Sequence, residues 1–193
     1  MRNIECEIRS FVTEEQFKKL RAYFRKEAEF LGSDKSVTYY FNSPEDLRIQ
    51  KNSTHSKVWL KKGKMHDNDR EEIEIRCPKE DFEKLKSLFS ALGYKVSVKW
   101  YRARNSFKWG DIDVALDFTK GYGYITELEK MASEEDKTET LEYLKSKMNK
   151  LGLIETPKED FDKKYEYYKE NWRELVDGPD GKAIEDPRQS RDK

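Results

Sequence analysis

The chain has 193 residues, of which 40% are charged and 35% hydrophobic, and its 39 basic and 39 acidic residues give a formal net charge of zero. This balance excludes a general nucleic-acid coat protein, which would carry a clear basic excess. No apolar run approaches the ~18 residues of a membrane span, and no apolar stretch follows Met1 as in a secretory signal. We therefore expect a cytoplasmic protein of one domain, with or without a small appendage.

The first predicted element is a strand with one apolar and one charged side. In residues 4–9, with sequence IECEIR, the apolar side chains face one way and Glu5, Glu7 and Arg9 face the other. A repeat of two residues is the period of a β-strand. The chain therefore begins with an amphipathic strand whose polar side carries full charges of both signs.

The remaining elements follow from apolar periodicity and from Gly, Pro and Asn breaks. In chain order they are a helix from Thr13 to Gly32, strands at 37–41, 47–49, 57–62 and 70–76, a helix from Pro78 to Gly93, strands at 96–107, 111–117 and 124–130, and helices at 134–151 and 158–175. Residues 176–193 are rich in Gly, Pro and charge and are predicted to form a flexible polar tail. The two cysteines and two histidines lack metal-ligand spacing, which fits reduced thiols and argues against a zinc site.

Several of these strands combine an apolar side with a dense charged side. A single strand of this kind is explained by a charged side that faces water. Five strands that each have an apolar side opposite the charged one favour an arrangement in which the charged sides face one another. Runs of strands joined by turns imply antiparallel pairing and an α+β fold. If helices cover the apolar sides, about eight strands could close into an antiparallel barrel with the helices outside and a charged, hydrated interior.

A charged interior of this kind has a definite chemical use. Clustered carboxylates bind hard cations such as Mg²⁺ or Mn²⁺. Clustered Arg and Lys bind phosphate oxygens, and Arg often does so through two hydrogen bonds. The two sets together suit a complex of a metal ion with a polyphosphate.

Six stretches, in the same order along the chain, resemble motifs of the CYTH proteins, also called triphosphate tunnel metalloenzymes. The first resembles the E-x-E-x-K signature of the family, and the last, which is the most specific, resembles D-x-x-x-G-L-G-x-F-x-E-(I/L)-E. The matching stretches are ECEIR at 5–9, YYF through LRI at 39–49, WLKKG at 59–63, RxExE at 70–74, RxRxxF at 102–107 and DFTKGYGYITELE at 117–129. The resemblance covers residues 1–175 and implies a closed eight-stranded tunnel that binds a triphosphate with divalent metal.

The resemblance also implies a role for each matching residue. The acidic ones would bind Mg²⁺ or Mn²⁺, namely Glu5, Glu7, Glu127 and Glu129, with Glu72, Glu74 and Asp117 as further ligands or groups beside the ligands. The basic ones would grip phosphates, namely Arg9, Arg48, Lys62, Arg102 and Arg104, with Lys61 as the alternative to Lys62. Glu5, Glu7 and Arg9 form the expected catalytic strand.

Two positions depart from the family pattern. Arg9 and Arg102 stand where the family usually has Lys. Arginine keeps the positive charge but does not readily lose a proton. At these two positions the resemblance therefore implies phosphate binding and does not imply activation of the attacking water.

The same tunnel could serve two reactions, because binding residues do not separate hydrolysis from cyclisation. The adenylyl cyclase branch usually shows a His-Phe pair just before its first acidic strand, and only residues 1–4, MRNI, precede that strand here. We therefore predict a metal-dependent triphosphatase in which a metal-activated water attacks the terminal phosphorus. The alternatives are a class IV adenylyl cyclase and a non-catalytic binder of triphosphate-containing nucleotides. The expected partner is a triphosphate-containing small molecule, with no membrane and no general nucleic-acid binding, and a homodimer is left open.

Overall fold

The order of strands and helices follows the sequence prediction closely. A computed structural model describes residues 4–62 and 72–177 of the chain. Its elements are β1 (Ile4–Val12), α1 (Glu14–Glu27), β2 (Glu29–Phe41), β3 (Asp46–Lys51), β4 (His55–Lys61), β5 (Glu72–Pro78), α2 (Phe82–Ala91), β6 (Val96–Trp109), β7 (Ile112–Thr119), β8 (Gly123–Ala132), α3 (Lys137–Lys150) and α4 (Lys158–Asp177). The α+β class with eight antiparallel strands is confirmed.

The eight strands form one sheet in the order β1-β8-β7-β6-β2-β3-β4-β5. In the described residues β1 and β5 are its two edges, so the closed barrel expected from the sequence is not confirmed. The connection between α3 and α4 covers part of the β1 edge. The Thr156 amide donates to the Arg9 carbonyl at 2.9 Å, and the Phe11 amide donates to the Thr156 hydroxyl at 2.9 Å. Backbone groups that a closing strand would use are therefore already paired there.

The first helix is shorter than predicted. Thr13 caps it, with its hydroxyl accepting from the Gln16 amide and the Gln16 side chain accepting from the Thr13 amide. The helix ends at Glu27, so the prediction of an end at Gly32 was wrong. Phe30 falls inside the predicted helix, but it lies in β2 with its ring 5.3 Å from that of Phe107 in β6. An aromatic residue at helical spacing fits either element, and packing against the neighbouring strand decided it.

Three helices cover the apolar side of the sheet. Helices α1 and α3 pack on β1, β6, β7 and β8, and the fully buried side chains there include Phe24, Phe107 and Leu128. Helix α2 packs on β2, β3 and β4 through Phe82. Each such buried side chain contributes about 1.5–3 kcal/mol relative to an exposed one. Packing on the apolar side therefore fixes the positions of the strands, and with them the positions of the charged residues on the opposite side of the sheet.

The fourth helix lies on the opposite side of the sheet, so the prediction that all helices pack outside was wrong for α4. Phe11 continues the charged side of β1 two residues beyond Arg9, and its ring stacks on Phe161 of α4 at 4.2 Å. Tyr168 donates to the Lys99 carbonyl at 2.7 Å, and Trp172 donates to the Ser97 carbonyl at 2.8 Å. Helix α4 therefore covers one end of the charged side of the sheet.

The contact between α4 and the β7–β8 turn leads to a prediction about Gly121. Its φ is +74°, and a Cβ added there would lie 2.7 Å from the Cβ of Leu175. Gly110 has a similar φ of +62° but nothing within 4 Å of an added Cβ. Chemical denaturation should show that Gly110→Ala costs about 1 kcal/mol for the backbone alone, and that Gly121→Ala costs about 1–3 kcal/mol more. Equal losses in the two variants would show that α4 does not sit tightly on this turn.

The C-terminal boundary of the last helix differs slightly from the sequence prediction. Helix α4 runs to Asp177, and Val176 is buried, so these residues belong to the folded domain and not to the predicted tail. Residues 178–193 lie outside the described part of the chain. Of the helices in the described ranges, none is both long and apolar enough to cross a membrane.

Candidate functional site

One side of the sheet, here called the charged face, collects most of the predicted site residues. Residues directly opposite on neighbouring strands share a side of the sheet. Glu7 lies opposite Glu129, which lies opposite Asp113, and Arg104 lies opposite Asp117. The charged face comprises Glu5, Glu7 and Arg9 on β1, Glu127 and Glu129 on β8, Asp113 and Asp117 on β7, Arg102, Arg104 and Lys108 on β6, Asp34 on β2, Asp46 and Arg48 on β3, Lys57, Trp59 and Lys61 on β4, and Glu74 and Arg76 on β5.

Carboxylates crowd together where β1, β8 and β7 lie side by side. We call Glu5, Glu7, Asp113, Glu127 and Glu129 the acidic cluster. Burial raises the pKa of Glu7 to about 7, with Glu127 and Glu5 acting in the same direction and Arg9 against it. Burial likewise raises the pKa of Glu129 to about 7, reinforced first by Glu5 and Glu7. The cluster therefore carries repulsion that a cation would relieve.

The side chains of the acidic cluster do not yet surround a common point. Within residues 4–62 and 72–177, no group of three His, Cys, Asp or Glu side chains is arranged to hold a metal ion. The donor type nevertheless fits Mg²⁺ or Mn²⁺, which prefer carboxylate oxygens. The acidic cluster supplies suitable ligands, and binding would have to draw them together.

The raised pKa values predict how the stability of the metal-free protein depends on pH. A carboxyl with a folded pKa of about 7 and an ordinary value of 4.5 binds more protons in the folded state between those limits. Its contribution to stability therefore falls as pH rises from about 4.5 to about 7. The free energy of unfolding, measured from pH 5 to 8 with a chelator, should fall more steeply in the wild type than in Glu7→Gln/Glu129→Gln. The effect should be modest, because 33% of the Glu7 side chain is exposed. Parallel curves would contradict the shifts.

Arg104 joins two of the predicted metal ligands. Its Nε donates to Asp117 Oδ1 at 2.8 Å, and its Nη2 donates to Asp117 Oδ2 at 2.6 Å and to Glu127 Oε2. Burial alone would lower the pKa of Arg104, but Glu127 and Asp117 outweigh it and raise the pKa, so the guanidinium stays charged. The Asp117 side chain is only 4% exposed, and Arg102 Nη1 lies 3.6 Å from its Oδ2. These contacts favour a role for Asp117 in holding the two arginines.

Arg9 connects the acidic cluster with α4. Its Nε lies 3.1 Å from Glu7 Oε1, and the register places it opposite Glu127. Its guanidinium carbon lies 4.7 Å from the centroid of the Phe161 ring. Arg9 of β1 therefore contacts both the acidic cluster and α4. The sequence analysis assigned this residue to both catalysis and phosphate binding.

A second group of cations lies on β3 and β4, towards the other edge of the sheet. Arg48 donates from Nε to Asp46 Oδ1 at 2.6 Å and from Nη2 to Asp46 Oδ2. Burial would lower the pKa of Arg48, but Tyr40 and Asp46 outweigh it and raise the pKa. Lys57 donates to Glu74 Oε2 at 2.7 Å. With Lys61, these cations form the basic wall, defined as Arg48, Lys57 and Lys61.

The register of β4 decides between the two lysines that the sequence left open. Lys61 lies opposite Asp46 and Glu72 on the charged face, whereas Lys62 follows the last residue of the strand and is exposed. The structure therefore places the alternative, Lys61, on this face. Glu72 is described only in its backbone. Glu74 lies on the edge strand β5, where Lys57 and Arg76 lower its pKa, and not with the acidic cluster.

The structure adds residues that the sequence analysis did not assign to the site. Asp113 lies opposite Glu129, and Lys57 lies opposite Arg76 and donates to Glu74. The period-two alternation from Asp113 to Asp117 and from Lys57 to Lys61 was the signal that could have found them. Trp59, between Lys57 and Lys61, belongs to the WLKKG stretch at 59–63, and the sequence analysis gave it no role in the site.

The chain is similar to known proteins over most of its length. A family model described as the CYTH domain matches residues 3–161. A protein of Methanocaldococcus jannaschii, named as a candidate adenylate cyclase, is 33% identical over 137 residues, which cover 67% of this chain and 75% of that protein.

Two solved structures are similar in fold. One, from Pyrococcus horikoshii, has a TM-score of 0.61 and 25% identity and covers 81% of this chain and 93% of its own. The other is a Hippeastrum protein described as a candidate adenylyl cyclase with a dominant triphosphatase activity. It has a TM-score of 0.65 and 14% identity, with coverage of 86% of this chain and 96% of its own. At that identity the second match shows the fold alone.

Proposed function

The chain belongs to the CYTH domain family, and from this premise we propose that it is a divalent-metal-dependent hydrolase of triphosphate-containing substrates. Members of this family bind triphosphate substrates, and the charged face is the surface on which this chain would receive one. The proposal names tripolyphosphate, thiamine triphosphate and nucleoside triphosphates as the substrates to test. The triphosphatase activity in the description of the Hippeastrum protein, which shares the fold, is consistent with it.

The observation that carries the proposal is the separation of charge along one side of a single sheet. The acidic cluster lies on β1, β8 and β7, and the basic wall lies on β3 and β4, with Arg102 and Arg104 on β6 between them. A metal–triphosphate complex presents a cation and several anionic oxygens, so it needs both kinds of partner. Ion pairs that only stabilise a fold match each carboxylate with a cation. They would not crowd carboxylates so closely that the pKa values of Glu7 and Glu129 are raised.

The acidic cluster would hold the metal through Glu5, Glu7 and Glu129, since Glu127 accepts from Arg104 and Asp113 accepts from Lys108. A bound Mg²⁺ or Mn²⁺ would supply charge neutralisation and a water of lowered pKa at the terminal phosphoryl group. Within the acidic cluster, Glu127 accepts from Arg104 and lies opposite Arg9, so it would link the cluster to these two cations.

The basic residues would bind and orient the phosphate chain. Arginine has five N–H donors, and the contacts of Arg104 with Asp117 and Glu127 use its Nε and Nη2, which leaves Nη1 for a phosphate oxygen. Arg102 and Lys61 would neutralise further oxygens. Helix α4 covers one end of the face and would keep water from that end of the bound chain.

Adenylyl cyclase is the second candidate, because the Methanocaldococcus jannaschii relative carries that name. Cyclisation needs the 3′-hydroxyl of a nucleotide at its α-phosphorus and releases pyrophosphate. The same acidic cluster and basic wall would serve this reaction. Only the products distinguish the two.

A substrate panel tests the proposal. The protein is incubated with tripolyphosphate, thiamine triphosphate or ATP, with Mg²⁺ or Mn²⁺, and the products are identified by chromatography. We expect inorganic phosphate and the matching diphosphate, or pyrophosphate from tripolyphosphate. If ATP instead gave cyclic AMP and pyrophosphate, the protein would be an adenylyl cyclase and not a triphosphatase. Binding of all three without any product would leave a triphosphate binder and refute the enzyme assignment.

A further inference from the structure

Trp59 carries an indole N–H that the fold encloses and does not satisfy. Among the residues that the structure describes, its Nε1 has no hydrogen-bond partner although the atom is buried. Buried tryptophan N–H groups usually find an acceptor, and an unmade bond destabilises the folded protein. The donor therefore needs an acceptor that the described part of the chain does not provide.

The surroundings of this donor are positive. Three cations lie close to the ring centroid of Trp59, with Lys57 Nζ at 3.8 Å, Lys61 Nζ at 4.5 Å and the Arg48 guanidinium carbon at 5.1 Å. Arg48 pairs with Asp46 and Lys57 pairs with Glu74, so the three cations outnumber these two carboxylates by one. This excess of positive charge favours an acceptor with negative charge.

The carboxylate closest in register has other partners. Glu74 lies opposite Trp59 on β5, and its two oxygens accept from Lys57 at 2.7 Å and from Arg76 at 2.9 Å. Trp59 itself lies on the charged face, opposite Arg48. Among the described residues no acceptor meets the Trp59 N–H, and a ligand anion on the charged face could supply one.

We propose that the Trp59 N–H donates to a phosphate oxygen of the bound triphosphate chain and so positions the chain against the basic wall. This inference rests on the proposed function and assigns one contact within it. The lysine side chains beside the ring are long, and a change of their rotamers would open the N–H to a ligand. The cations beside the ring would hold the phosphate charge while the indole fixes one oxygen in direction.

The test removes the N–H and keeps an aromatic ring. Trp59→Phe and the wild type are titrated with tripolyphosphate by calorimetry in a chelator, so that turnover does not interfere. Tripolyphosphate has no organic part, which isolates the phosphate contact. We expect Kd to rise about tenfold, the usual effect of losing a hydrogen bond to a charged group. The thermal midpoint of the ligand-free variant is measured beside it, so that a loss of folding is distinguished from a loss of binding.

Trp109→Phe is the matched control, because Trp109 lies on the apolar side of the sheet beside another lysine, Lys147. It should leave Kd unchanged. A second measurement needs no variant of Trp59. The indole proton of Trp59 in the wild type should shift downfield in an NMR titration with tripolyphosphate, as expected when it gains an anionic acceptor.

Each remaining outcome decides the matter. Equal Kd values for Trp59→Phe and wild type, or an indole proton that does not shift, would overturn the proposal. Weaker binding of ATP but not of tripolyphosphate would move the contact to the organic group and overturn the phosphate assignment. If the wild type itself does not bind tripolyphosphate with or without metal, the proposed function fails as well.

Discussion

Replacing Arg104 by alanine is expected to lower the free energy of unfolding by about 3 kcal/mol. The change leaves the carboxylate of Asp117, 4% exposed, without the two hydrogen bonds that Arg104 donates to it. A buried charge that loses its partner keeps the cost of its removal from water. The loss should lie at the lower end for buried pairs, because Arg102 remains 3.6 Å from the same oxygen. Urea denaturation at pH 7 and low salt measures it.

Lys108→Ala provides the matched comparison. Lys108 lies on the same strand and side of the sheet and pairs with an aspartate of β7, Asp113, at 2.9 Å, but its side chain is 37% exposed. Its removal should cost no more than about 1 kcal/mol, as for other surface pairs. Arg104→Lys should recover only part of the loss, because an ammonium cannot reproduce the two-pronged contact. Similar costs for Arg104→Ala and Lys108→Ala would show that Asp117 is hydrated in solution.

Neutralising Glu7 and Glu129 together is expected to reduce metal-dependent hydrolysis at least about 100-fold while leaving the protein folded. Removing metal ligands forfeits several kcal/mol of transition-state stabilisation, and about 3 kcal/mol corresponds to 100-fold in rate. The stability of the metal-free variant at pH 8 should equal or exceed that of the wild type. Glu7→Gln/Glu129→Gln removes two carboxylates whose pKa values are raised by burial and by neighbouring acidic groups.

The opposite signs of these two effects separate a metal site from a structural role. Rates are measured with saturating Mg²⁺ and Mn²⁺, and unfolding is followed in the presence of a chelator. Glu80→Gln, which changes an exposed carboxylate in the turn after β5, should alter neither quantity. A double variant with wild-type activity would refute the metal assignment, and one that unfolds would show that Glu7 and Glu129 stabilise the native state.

Much of the charged face could be predicted because alternation is local. In β1 the residue types themselves place Glu5, Glu7 and Arg9 on one side, and the register confirms that they meet Glu127 and Glu129 of β8. A strand has a period of two, so the side of each residue follows from its position alone. Alternation also places Trp59 on the same side of β4 as Lys57 and Lys61. A tryptophan carries no charge, so the pattern of charges did not draw attention to it.

Other features depend on which elements meet in space. The apolar stripe of α4 was visible in the sequence, but amphipathicity does not say which side of a sheet a helix covers. Only the packing of Phe161 on Phe11 places it on the charged face. The choice between Lys61 and Lys62 required the end of β4, and element ends are poorly determined by local pattern.

The sequence by itself determined the element order, the antiparallel α+β class, the family resemblance and the side of the sheet on which most charges lie. These are short-range properties, set by the spacing of residue types along the chain. The tertiary structure alone decided that β1 and β5 stay apart in the described residues, that α4 covers one end of the charged face, and that Arg104 holds Asp117 and Glu127. Each of these depends on contacts between residues distant in sequence, and their free energies exist only once the chain has folded.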